Sequence, residues 1–225
     1  MSTERFADQP WQNELPSTIL GTTTTEFVVK KSRFITHLAH VTDIAQADAF
    51  IADIRTRFWD ARHNCVALSL GINAQTQRSS DDGEPSGTAG IPMLEVLRHR
   101  QLTDVVAVVT RYFGGVLLGA GGLVRAYGTA VSTGLDAATI IARVPLVRFH
   151  VETDHGQAGR LEYFLRDWLA QHRGVFEDPA YTHRVTFSVL VSPKIQAEFL
   201  AELAQFSSGG AHATFDAIEV VDLPA

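Results

Sequence analysis

The chain has 225 residues, 45% hydrophobic and 20% charged, which suits one large or two modest packed domains and excludes a disordered chain. Its net charge of −6 is uneven: residues 1–143 hold 13 Lys/Arg against 14 Asp/Glu, and residues 144–225 hold 6 against 11. That balance excludes indiscriminate nucleic-acid binding through whole-chain charge, yet it leaves room for a local basic site in the first part.

Residues 1–22 are polar, carry Pro10 and Pro16 and show no sustained period, which predicts an N-terminal extension. They contain no basic-then-apolar leader, no later run is long enough to cross a bilayer, and the single cysteine, Cys65, rules out an internal disulfide. The expectation is a cytoplasmic protein without membrane contact.

Glu26–Lys31 and Arg33–Val41 read as paired strands rich in Phe, Val, Ile and Thr. Thr42 or Asp43 then caps a helix whose apolar stripe is Ile44, Ala47, Ile51, Ile54 and Phe58, ending near Trp59. His63–Gly71 alternates Val66, Leu68 and Leu70 on one face with His63, Cys65, Ala67 and Ser69 on the other. The second face is predicted to be small, polar and open to solvent or a ligand. A long loop is expected over Asn73–Gly87, followed by a short helix from Pro92 to His99. Asp104–Thr110 is apolar on both faces, as in a central strand covered on both sides.

A Gly-rich loop leads from that strand into a helix predicted over Gly122–Ala142, with Leu123, Tyr127, Val131, Leu135 and Ala138 buried. Past a boundary near Arg143–Pro145, residues 144–225 read as strand, helix, short strand, strand, helix, strand. This βαββαβ order is the ferredoxin-like plan. The fold class is thus α+β, with a βαβ sandwich over 23–143 preceding the ferredoxin-like domain.

Three features can carry chemistry. In Arg111–Tyr127, Gly114, Gly115, Gly119, Gly121 and Gly122 stand between a buried strand and a helix N-terminus, where free amides and the helix dipole favour anions. Arg111 and Arg125 bracket the loop and can add bidentate contacts. Neither the P-loop nor the dinucleotide fingerprint is present, so an anion cradle and a tight packing turn both stay open. The acidic loop with Asp81, Asp82 and Glu84 can hold a hard cation such as Mg²⁺, or is a solvated turn; it lacks EF-hand spacing. Arg62, His63 and Cys65 lie together, and a Cys–His pair on one strand face is a weak basis for a nucleophile. His37, His40, His63 and Cys65 do not match zinc-ligand spacing, so no metal centre is expected from them.

KKSRFITHLAH (Lys30–His40), DARHNC (Asp60–Cys65), SDDGEPSGTAG (Ser80–Gly90) and RYFGGVLLGAGGLVRAYGTAV (Arg111–Val131) together resemble the YigZ/IMPACT family, in its bacterial branch. The resemblance implies an N-terminal domain similar to a domain of a small-subunit ribosomal protein, a fold shared with phosphate-binding kinases. It also implies a C-terminal ferredoxin-like domain similar to one in elongation factor G. Through the eukaryotic branch it implies a role in translational control. It supplies no catalytic residues, which inclines the reading away from an enzyme. Its motif residues Arg62, His63, Asp81, Asp82, Glu84, Arg111, Tyr112 and Arg125 become candidates for one composite surface. Three functions follow: an RNA- or ribosome-binding protein in which Arg62, Arg111 and Arg125 contact phosphates while Tyr112 and His63 stack on bases; an enzyme or sensor for a phosphorylated or carboxylated metabolite; or a module that docks a protein partner.

Overall fold

A computed structural model describes residues 15–224. Two compact units are present: one running to Arg143 and regaining the chain from Asp222, the other spanning Val144–Val221.

The first unit is built on a five-stranded antiparallel sheet. Its strands are β2 (Thr22–Val29), β3 (Ser32–His40), β4 (His63–Leu70), β5 (Thr76–Ser80) and β6 (Val105–Tyr112), in the order β2-β3-β6-β4-β5. Central β6 is apolar on both faces because both are covered. On one side α1 (Ile44–Arg57) packs Ala47, Ile51 and Ile54 against Val66, Leu68, Val106 and Val108. Asp43 starts this helix by accepting the Gln46 amide at 2.8 Å. On the other side α2 (Gly90–His99) and α3 (Ala120–Ala137) cover Cys65, Ala67, Val105, Ala107 and Val109 with Met93, Leu97, Leu123, Tyr127 and Val131.

This layering corrects the expectation for β4. Its second face is not open: Cys65, Ala67 and Ser69 are all buried, and they are small because helices lie close above them. The expected loop Asn73–Gly87 also contains a strand, β5, which pairs with β4 from Val66↔Ser80 to Leu70↔Thr76. Helix α3 ends at Ala137, short of the expected Ala142, and Ile140 already begins the next strand. The extension expected over residues 1–22 lies outside the described residues up to residue 14. Within it, Thr18 and Ile19 form β1, paired with Ile141 and Ile140, and Ile19 is buried.

Two contacts position the candidate site. A two-residue turn at Lys30–Lys31, both with positive φ (45° and 64°), closes the β2–β3 hairpin in the geometry that matches strand twist. Gly134 brings α3 onto the sheet, since a Cβ there would stand 3.0 Å from the Thr36 methyl.

In the second unit, β7 (Ile140–Thr153), α4 (His155–His172), β8 (Val175–Phe176), β10 (Val185–Val191), α5 (Gln196–Ser207) and β11 (His212–Pro224) give the sheet order β11-β7-β10-β8, with the short β9 (Ala180–Tyr181) beside β10. That is the βαββαβ plan with its first and third strands central. Leu161, Leu165, Trp168, Phe199 and Leu203 bury the helices against Val147, Val151, Phe187 and Val189. Arg148 joins Glu177 and Glu219 across this sheet, and their carboxylates hold its pKa above the ordinary value.

His37 gives the fold a pH dependence. It is buried with its ring 4.8 Å from that of Phe58, and Nδ1 lies 3.3 Å from the Thr24 hydroxyl. Burial, reinforced by the Arg57 charge and opposed by Asp53, lowers its pKa to about 4. The unfolded chain takes up this proton near pH 6.5 and the folded one does not, so the contribution is complete above pH 6.5 and is lost as pH falls toward 4. Chemical-denaturation curves are expected to lose up to about 3 kcal/mol over that interval, a step that is absent in His37→Phe.

Candidate functional site

Glu84 is a buried carboxylate. Its Oε1 accepts Arg111 Nη1 at 2.6 Å and Tyr127 Oη at 2.8 Å, with Arg111 only 7% exposed. These three side chains come from the Ser80–Gly90 loop, the end of β6 and the middle of α3. The Cys65 thiol donates to the Asp81 carbonyl at 3.0 Å and lies 3.3 Å from Tyr127 Oη. Burial raises the Tyr127 pKa, and it pushes the thiol up to about 12 against the lowering effect of the Tyr127 hydrogen bond, with Glu84, Asp82 and Asp81 acting in the same direction as burial. Cys65 is therefore a neutral core group.

The rest of the acidic loop is also tied into the protein. Asp81 accepts the amides of Ala89 (3.0 Å), Gly90 (2.8 Å) and Gly87 (2.8 Å), capping α2 from outside the helix. Burial raises its pKa, but the three amide bonds outweigh burial and hold it below the ordinary value. Asp82, at φ 44°, accepts the Asn64 amide at 2.7 Å and Arg55 at 3.0 Å, and its carbonyl lies 2.9 Å from His63 Nδ1. Among the described residues no group of three or more His, Cys, Asp or Glu is arranged to hold a metal ion.

Around the Gly-rich loop the arrangement is the opposite. Gly114 lies flat on the hairpin turn, where a Cβ would come within 2.0 Å of the Lys31 carbonyl carbon. Gly119, at φ 70°, opens α3 with no side-chain cap, and Ala120 and Gly121 beyond it are exposed. Arg125 follows on the first turns. With Lys30 it flanks a groove of about 160 Å³ floored by Phe27, Val29, Leu118 and Ala126. Gly115 and Gly122 complete the loop, Gly115 at φ 83° and Gly122 against Leu118.

The predicted residues thus divide. Arg111, Glu84, Asp81 and Asp82 lie in the supporting network. Tyr112 donates to Asp60 at 2.7 Å, with the Arg33 guanidinium 5.6 Å above its ring. Arg62 and Arg125 are exposed and make no ion pair among the described residues. Register places His63 opposite Arg111 and Arg33 opposite Tyr112, so the β2–β3 turn, the α1–β4 loop and the Gly-rich loop meet at one end of the sheet. Lys30 and Lys31 also belong to this end, exposed and without an acidic partner among the described residues. The sequence pattern assigns both lysines to the first strand, Glu26–Lys31; that strand ends at Val29 and they form the turn instead, while Trp59 and Phe113 carry no signal of exposure in the sequence.

Comparison with known proteins matches a separate family model to each of the two units. The model of the Impact N-terminal domain matches residues 30–135, and that of a domain of unknown function, DUF1949, matches residues 151–209. The chain belongs to the IMPACT family. It is 43% identical to the IMPACT family member YvyE of Bacillus subtilis over 82% of this chain and 83% of that protein. With the IMPACT family member YigZ of Escherichia coli the identity is 42% over 80% and 88%. Protein IMPACT-A of Xenopus tropicalis is 33% identical over half of this chain and 35% of its own. A crystal structure described only as that of a hypothetical protein, 38% identical, covers 91% of this chain and 98% of its own with a TM-score of 0.57. Among the described residues no helix is long and apolar enough to cross a membrane.

Two predictions test the supporting network. Glu84→Ala leaves a buried guanidinium uncompensated and is expected to cost about 3–5 kcal/mol, whereas Glu84→Leu combined with Arg111→Met costs well under the sum of the single changes. Urea titrations of the singles and the double measure this coupling. Cys65 is expected to resist a thiol-reactive dye at pH 8 in the native protein and to react fully in urea.

Proposed function

We propose that this protein binds RNA at the end of its N-terminal sheet and acts on the translation machinery. One observation supports the reading most directly. In a chain of net charge −6, Lys30, Lys31 and Arg62 lie at the sheet end from which the Gly-rich loop leads to the uncapped start of α3. Arg125 lies on the first turns of that helix, and all four are without an acidic partner among the described residues. Nearby acids are engaged elsewhere: Glu26 with Arg33, Asp82 with Arg55, Asp60 with Tyr112 and Glu84 with Arg111. A local positive field of this kind concentrates polyanions, and the exposed amides of α3 add oriented dipoles of the same sign. From Arg62 at β4 to Lys30 at β2 is three inter-strand steps, about 14 Å, so the cations meet successive phosphates of one strand rather than one small anion. Membership of the IMPACT family, through whose eukaryotic branch the resemblance implies translational control, gives the RNA its context.

On this reading the cations act as phosphate contacts and the buried Glu84–Arg111 pair keeps the loops that carry them in register. Anisotropy titration of a short fluorescent RNA over a series of salt concentrations tests it. Wild-type binding is expected to weaken steeply with salt. In Lys30→Ala/Lys31→Ala/Arg125→Ala the slope of log K against log salt is expected to fall by about 2, three contacts at about 0.7 each. Undetectable binding, or a slope that the triple variant leaves unchanged, overturns the reading.

A further inference from the structure

Trp59 and Phe113 are 82% and 52% exposed, the two exposed aromatic side chains of the first unit among the described residues. Both lie at the sheet end that carries the cations. Asp60, which follows Trp59, holds Tyr112 through its hydroxyl at 2.7 Å, and Phe113 is the next residue. Gly114 then rests on Lys31, so a continuous chain of contacts links Trp59 through Tyr112 and Phe113 to the hairpin turn. Arg62 stands three residues beyond Trp59, just before His63, whose strand partner is Arg111.

A single exposed aromatic needs no explanation, but two of them among four uncompensated cations form a recognisable chemical combination. Phe113 is held from beneath, with its ring 5.7 Å from the Arg111 guanidinium, which is itself fixed by Glu84. That support keeps one ring face oriented without covering the other. Aromatic faces beside phosphate-binding cations suit unpaired bases, whose own faces are free. A duplex keeps its base faces stacked on each other and offers only its backbone.

We infer that the ligand of this surface is single-stranded RNA, with Trp59 and Phe113 stacking on its bases while Lys31 and Arg62 hold the adjoining phosphates. The inference rests on the RNA-binding reading and adds the strandedness and the means of base contact. Tyr112, expected to stack, is half-buried with its hydroxyl held by Asp60 and the Arg33 guanidinium over one ring face, so stacking falls first to the more exposed Trp59 and Phe113.

The test uses the full chain and one short fluorescent RNA of mixed sequence, offered single-stranded or annealed to its complement. The single strand is expected to bind at least tenfold more tightly than the duplex. Trp59→Ala and Phe113→Ala are each expected to weaken single-strand binding roughly 5- to 100-fold and to leave the salt slope unchanged. Melting temperatures check the folding of each variant, and the far more exposed Trp59 decides the matter if Phe113→Ala disturbs Arg111. Equal affinity for the two forms, or aromatic variants that bind like wild type, overturns the inference while a reduced slope in the cation variant still upholds RNA binding. Failure of both RNA forms to bind overturns both readings and points to a protein partner.

Discussion

The buried Glu84 carboxylate, held by Arg111 and Tyr127, is the interaction on which the rest of the N-terminal unit depends. It joins three segments far apart in the chain: the acidic loop, the last residues of β6 and the middle of α3. Such a pair gives little net stability over an apolar equivalent, because desolvating both charges offsets most of their attraction. Its effect is positional. With Glu84 fixed, the loop around it presents Asp81 to α2 and Asp82 to β4. With Arg111 fixed, β6 delivers Tyr112, Phe113 and Gly114 to defined places. An apolar triad of the same volume would supply packing without directed hydrogen bonds between the three segments.

The same unit contains two helix N-termini treated in opposite ways. Helix α2 receives a carboxylate from the protein itself, Asp81, which satisfies three amides at once. Helix α3 begins at a glycine with no cap and with cations beside it. A helix end left without an internal anion keeps its positive potential available at the surface, and under the proposed function that potential is used by the ligand. The acidic loop that looked suited to a cation instead supplies protein anions for protein donors.

How much of this was legible in the sequence depended on whether the governing forces were local. Helical spacing exposed α1, α3 and α4, and the doubly apolar run Val105–Val109 marked a central strand, because each pattern is set by the element's own burial. Strand β5 was hidden because TQRSS is a polar edge strand, stabilised by pairing with β4 rather than by its own side chains. The small residues of β4 were read as an open face because small size has two causes, solvent exposure and close helix packing. Only the tertiary contact with α2 and α3 separates them. At the site, the Gly-rich segment stood out by composition. The division between buried Arg111 and exposed Arg125 did not, since it depends on a carboxylate 27 residues from Arg111 in the chain. Trp59 was visible only as the end of a helix, because exposure of an aromatic is a property of what fails to pack on it.

Charge distribution gives the proposed surface its selectivity. The C-terminal part of the chain, 6 Lys/Arg against 11 Asp/Glu, repels a polyanion, while the first part is nearly neutral overall and, among the described residues, carries its unpaired cations at one sheet end. An anionic polymer therefore gains only where those cations lie, and the repulsion elsewhere suppresses attachment along the rest of the surface. Four phosphate contacts alone give a weak, steeply salt-dependent attachment that any polyanion could satisfy. The proposed stacking on Trp59 and Phe113 would add a term that salt does not screen and that only unpaired bases can supply. Under the proposed function the two kinds of contact would divide the work between bringing a polyanion to the Gly-rich loop and retaining only the strand whose bases are free.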